Sequence, residues 1–74
     1  MSIRTLIVDD EPLARERLRQ LLSDQGDVEV VGEAASGAEA LAAIEVQHPH
    51  LVFLDIHMPG GDGMAVARAV RDRA

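Results

Sequence analysis

The chain has 74 residues, with 13 acidic side chains against 7 basic ones and a formal charge of −6. That length allows one small domain at most, since single domains usually run to roughly 100–150 residues. The charge disfavours contact with phosphate backbones, and the lone aromatic residue, Phe53, leaves no platform for stacking bases. All seven bases are arginine and cysteine is absent, so no disulfide supports the fold. This fits a reducing, cytoplasmic setting. No apolar run reaches the ~18 residues that a membrane span needs, and "MSIRTLIVDD" turns acidic too early for a signal peptide.

Ile3 to Val8 is a short apolar run rich in β-branched residues and predicts a strand. Pro12 suits the first turn of a helix, with Asp10 or Glu11 as its cap. Ala14, Leu18, Leu21, Leu22 and Gln25 then fall on one face, Glu11 and Arg15 form a favourable i,i+4 pair, and the helix arginines make a solvated face. "QGD" at 25–27 ends the helix. Val28 to Ala34 alternates and then turns apolar, as an edge strand does. "SGAE" at 36–39 is a capping box, with Ser36 capping and Glu39 reaching back. Its helix should bury Ala38, Leu41 and Ala42 and end near Val46. Leu51 to Leu54 is apolar without alternation, the pattern of a central parallel strand. Asp62 can cap a last helix with Val66, Ala67 and Val70 inward. The order βαβαβα implies a parallel sheet with right-handed crossovers.

Two stretches carry the chemistry. "TLIVDDEP" (5–12) and "LVFLDIHMPGGDG" (51–63) each drive a hydrophobic strand into carboxylates. In a parallel α/β sheet all strand C-termini lie on one edge, where ligands bind. If the first and third strands are neighbours, Asp9, Asp10 and Asp55 converge there. Like charges so placed repel, and a hard divalent cation held by oxygen alone, Mg²⁺ or Mn²⁺, relieves this. A carboxylate beside such a metal can act as nucleophile toward a phosphoryl group, which makes Asp55 the candidate nucleophile and Asp9–Asp10 the metal holders. Pro59, Gly60, Gly61 and Gly63 let the backbone turn closely around the site, and the His57 carbonyl is a candidate ligand.

Blander roles compete. Acids at 9–11 could simply suit a helix N-terminus, and Asp55 could be an exposed strand-end residue beside turn-forming glycines. The joint spacing argues against both. His48, His50 and the His57 side chain read as loop polar residues, and Met58 and Met64 as packing residues.

With these residues in place, the chain resembles the receiver domain of bacterial two-component response regulators. The paired acids, the strand-end aspartate and the M-P-x-x-x-G loop (Met58, Pro59, Gly63) match. "DDEPLARERLRQLL" is similar in particular to receivers of LytTR-type transcriptional regulators. The resemblance implies a flavodoxin-like, CheY-like parallel sheet, with residues 1–74 giving its first three βα units as the N-terminal part of a receiver. It implies Asp55 as phosphoacceptor, and Mg²⁺ held by Asp10, Asp55 and the His57 backbone carbonyl, with Asp9 through water. It implies a sensor histidine kinase as partner, and DNA binding left to an output domain outside this segment. The family's Thr/Ser after strand four and its strand-five lysine and aromatic would lie beyond Ala74. A fragment without signalling competence is therefore the alternative, and the open third strand invites self-association. A Mg²⁺-dependent aspartyl phosphohydrolase is the weaker reading, because such enzymes show D-x-D after the first strand and this chain shows D-D.

Overall fold

The computed structural model describes residues 2–55, 58 and 62–73, without the side chains of Asp62 and Arg73. The elements run β1 (Ile3–Val8), α1 (Pro12–Ser23), β2 (Val28–Ala34), α2 (Gly37–Gln47), β3 (Leu51–Leu54) and α3 (Asp62–Arg73). The strands form one parallel sheet in the order β2-β1-β3. The first connection thus moves one way along the sheet and the second returns across β1. With right-handed crossovers this sends α1 to one face and α2 to the other. The three βα units and strand order match the flavodoxin-like arrangement.

β1 is the central strand, and Thr5 through Val8 are all buried. Alternation divides its side chains between the faces. Leu6 and Val8 join Ala34, Ala40, Ile44, Met58 and Val66 in one cluster, with Ala43, Val52 and Leu54 packed against it. Ile7 pairs in register with Phe53 on the other face, where Leu18 of α1 lies beside Phe53; Leu22 of α1 is also buried. The β1–β2 register slips between Thr5 and Leu6, skipping Val31. Just past this bulge, a Cβ on Gly32 would sit 3.3 Å from Leu6 Cδ1, so the glycine makes room for the central leucine.

β3 is not the doubly buried central strand its composition suggested. It borders the described sheet, Leu51 is exposed, and Val52, Phe53 and Leu54 are half-buried. Its lower end is fastened to β1. Arg4 N–H donates to His50 Nδ1 (3.1 Å), His50 N–H donates to the Arg4 carbonyl (2.8 Å), and Arg4 Nη2 donates to the Gln47 carbonyl (2.5 Å). His50 is thus a structural acceptor.

The helices follow their caps more closely than their apolar stripes. Ser36 Oγ accepts from Glu39 N–H (3.2 Å), while Glu39 reaches back to Ala35 N–H (3.0 Å), one residue before the cap. α2 ends at His48 in the left-handed region (φ 48°, ψ 58°), where its N–H donates to the Ile44 carbonyl. The buried face of α2 is Gly37, Ala40 and Ile44, whereas Ala38, Leu41 and Ala42 are exposed. The helix is apolar almost all round, so its pattern could not choose a face. On α1, Leu22 is buried but Leu21 is exposed, a turn of about 100° away. On α3, Val66 is buried, Ala67 is half-buried and Val70 is exposed. The proposed Asp62 cap lies outside the described side chains.

Candidate functional site: three carboxylates at the sheet edge

The hydrogen-bond ladder carries on one residue past two strand ends. Asp9 N–H donates to the Ala34 carbonyl of β2, and Asp55 N–H donates to the Val8 carbonyl of β1, each at 3.0 Å. Asp9, at the end of β1, is thus tied to β2, and Asp55, at the end of β3, is tied to β1, which sets the two aspartates side by side at one sheet edge. One ligand oxygen each from Asp9, Asp10 and Asp55 comes within 4.8 Å of the others. Asp9 and Asp55 are half-buried and Asp10 is exposed. An open depression of about 380 Å³ beside them is lined by Val8, Asp9, Leu18, Phe53, Leu54 and Asp55. It is apolar below and acidic at the rim.

The turn between β1 and α1 is built from its own acids. Asp9 Oδ1 accepts from Glu11 N–H at 2.9 Å. Glu11 is the N-cap residue by position, but its side chain makes no cap bond. The carboxylate satisfying a backbone donor at this helix start belongs to Asp9, two residues earlier.

Arg15 was expected to pair with Glu11 on a solvated face. It does not. Its Nη1 donates to the Asp9 carbonyl at 2.6 Å, and its Nε donates to Glu33 Oε1 at 3.2 Å. Both side chains are largely buried, at 18% and 21% exposure, and Arg19 reaches the other oxygen of Glu33. Sequence reasoning missed this trio because the i,i+4 rule pairs neighbours on one helix, whereas Glu33 lies across the β1–α1–β2 crossover. The available signal was helical spacing, which puts Arg15 on the Leu18–Leu22 face.

The donor set fits a hard divalent cation: three carboxylates, all oxygen, at a solvent-accessible edge. Arg15, which reaches the Asp9 carbonyl, is paired with Glu33, so its charge is already committed. His48 and His50 take no part in the group. The His57 carbonyl, Pro59, Gly60 and Gly61 lie outside the described residues. Met58, next to them, is buried in the core cluster.

The description "Response regulator receiver domain" matches residues 5–74. The transcriptional regulatory protein BtsR of Salmonella typhi is 53% identical over 64 residues, covering 86% of this chain and 27% of that protein. The chain thus spans about a quarter of the length of the BtsR relatives it matches. Among solved structures, the signal receiver domain of NarL from Mycobacterium tuberculosis superposes with a TM-score of 0.88 at 47% identity, covering 97% of this chain and 58% of that one. The response regulator domain of Thermotoga maritima CheB gives 0.91 at 32% identity, covering 100% and 55%. The narrower likeness to LytTR-type regulators finds no support among these relatives and is withdrawn. A sequence match from Thr5 onward and a close superposition on a solved receiver domain lead to one conclusion: the chain belongs to the response regulator receiver domain family.

Proposed function

We propose that this chain is the phosphoacceptor module of a two-component phosphorelay, with Asp55 receiving the phosphoryl group from a sensor histidine kinase. The observation that carries this reading is the meeting of Asp9, Asp10 and Asp55 within 4.8 Å at the C-terminal ends of adjacent parallel strands. Asp10 and Asp55 would hold Mg²⁺ directly and Asp9 through water, with the His57 carbonyl as a further ligand. When bound, Mg²⁺ supplies charge neutralisation for the phosphoryl oxygens.

The chain's own residues do the rest. The Asp55 backbone is fixed on β1, so its carboxylate is presented at the rim of the depression. An Asp55 oxygen attacks phosphorus in line with the leaving group. The new P–O bond forms as the P–N bond of a phosphohistidine breaks. The bonding pair stays on the imidazole nitrogen, which takes a proton from solvent. The product is an acyl phosphate on Asp55. Phe53 and Leu18 below the rim keep that side of the site apolar.

Residues 1–74 would then supply the first three βα units of a receiver. BtsR is described as a transcriptional regulator. In a protein of that kind, DNA contact would fall to a segment other than this acidic one. The β3 edge would be open to pairing with a second copy.

Incubation with acetyl phosphate and Mg²⁺ tests the chemistry. The expected product carries a phosphoryl group that neutral hydroxylamine removes, the mark of an acyl phosphate. A hydroxylamine-resistant adduct, or none, would overturn the proposal.

A further inference from the structure

The Asp9 carbonyl belongs to the peptide that links Asp9 to Asp10. Whatever fixes that carbonyl fixes the plane from which the Asp10 side chain departs. Asp9 is held at three points: its N–H on Ala34, its Oδ1 on Glu11 N–H, and its carbonyl on Arg15 Nη1. Asp10 is exposed, and its carboxylate has no hydrogen bond or ion pair among the described residues. The aim of Asp10 therefore depends on the peptide before it. Arg15 is what holds that peptide's oxygen.

We infer that Arg15, oriented by Glu33, is a positioning residue for the acidic site: it clamps the Asp9–Asp10 peptide so that Asp10 converges on Asp9 and Asp55. This rests on the reading of the acidic edge as a divalent-cation site. The guanidinium suits the task because its planar fork offers donors in two directions at once. Nε faces the Glu33 carboxylate while Nη1 faces the carbonyl. Glu33 also takes up the arginine's charge, so Arg15 holds the backbone without serving as counter-ion to the three aspartates. Arg19, on the other Glu33 oxygen, keeps that carboxylate in place. The clamp joins α1, the β1–α1 turn and the outer strand β2. Partners that orient metal ligands from behind typically carry roughly 10–100-fold in metal affinity.

The test compares the wild-type chain with Arg15→Met, Arg15→Lys and Glu33→Gln. Mg²⁺ titrations are followed by the amide resonances of Asp10 and Asp55, and folding is checked by thermal melts. Arg15→Met should weaken Mg²⁺ binding at least about tenfold. It should also raise fast backbone mobility at Asp10, with Asp55 unchanged, in the absence of metal. Arg15→Lys should recover only part of the affinity, because one ammonium cannot reproduce the fork. If Arg15→Met fails to fold, Glu33→Gln decides, with a smaller loss in the same direction. A folded Arg15→Met or Glu33→Gln chain with wild-type Mg²⁺ affinity and an unchanged Asp10 amide would overturn the inference. A wild-type chain that binds no Mg²⁺ would instead sink the cation-site reading; the metal-free mobility of Asp10 would still judge the clamp.

Discussion

Replacing Asp10 with asparagine should make the metal-free chain more stable, although it removes a group from the functional site. The carboxylate has no hydrogen bond or ion pair among the described residues, so the amide loses no contact. What it loses is repulsion. Asp10 faces two other carboxylates, with ligand atoms no more than 4.8 Å apart. At the dielectric of water, each pair at that distance costs about 0.9 kcal/mol. Screening at physiological ionic strength lowers this to about 0.5 kcal/mol, since the Debye length is then ~8 Å. Two pairs give about 1 kcal/mol, rising to about 1.5 kcal/mol near 0.01 M salt. In a domain of this size, 1 kcal/mol moves the melting midpoint by roughly 4–8 °C. Mg²⁺ should then invert the order at physiological ionic strength: at about a hundred times its dissociation constant it stabilises the wild type by about 2.7 kcal/mol, while the variant gains much less. Urea or thermal unfolding at two salt concentrations, with and without Mg²⁺, reads all of these quantities. A metal-free Asp10→Asn chain less stable than wild type at low salt would show that Asp10 is not under net repulsion, and an equal gain from Mg²⁺ in both would show that Asp10 does not hold the metal.

Three further outcomes follow from the packing. His48 stands at φ 48° at the end of α2, and His48→Gly keeps its N–H bond to Ile44. It should raise stability by up to about 1 kcal/mol in urea titrations; a loss would show that the imidazole contributes more than its backbone costs. Leu6→Ala opens a cavity in the fully buried centre of β1, against Gly32 and the α2–α3 cluster. It should cost about 3 kcal/mol by chemical denaturation, and a cost below ~1 kcal/mol would contradict the packing described. Leu51→Lys places a charge on the β3 edge at a 40% exposed position. It should lower concentration-dependent association in sedimentation experiments without changing the melting midpoint, and unchanged association would locate the contact elsewhere.

The parts of this molecule legible in its sequence are those where one local rule acts alone. Ile3–Val8 could be read as a strand because β-branched and apolar residues dominate it, with Arg4 the one charged side chain. The meeting of Asp9, Asp10 and Asp55 followed from parallel-strand geometry once β1 and β3 were neighbours. Ser36 and Glu39 marked the start of α2 because capping chemistry is local. Where several rules compete, the sequence was silent or misled. An all-apolar strand reads as doubly buried, yet β3 borders the described sheet. α2 offers apolar residues on nearly every side, so only the packing of Ala40 and Ile44 against β1 and β2 selects its face. Arg15 illustrates a longer reach: its partner Glu33 is 18 residues away, close only because α1 folds back along β2. Such a pair has no signature at helical spacing.

The central claim is that Asp55 accepts a phosphoryl group at this acidic edge. Intact-mass spectrometry of the wild-type chain and of Asp55→Asn, each incubated with Mg²⁺ and acetyl phosphate, tests it most directly. One added phosphoryl group is expected on the wild type and none on Asp55→Asn, with both chains folded by circular dichroism. Equal phosphorylation of the two, or none on a folded wild type, would contradict it.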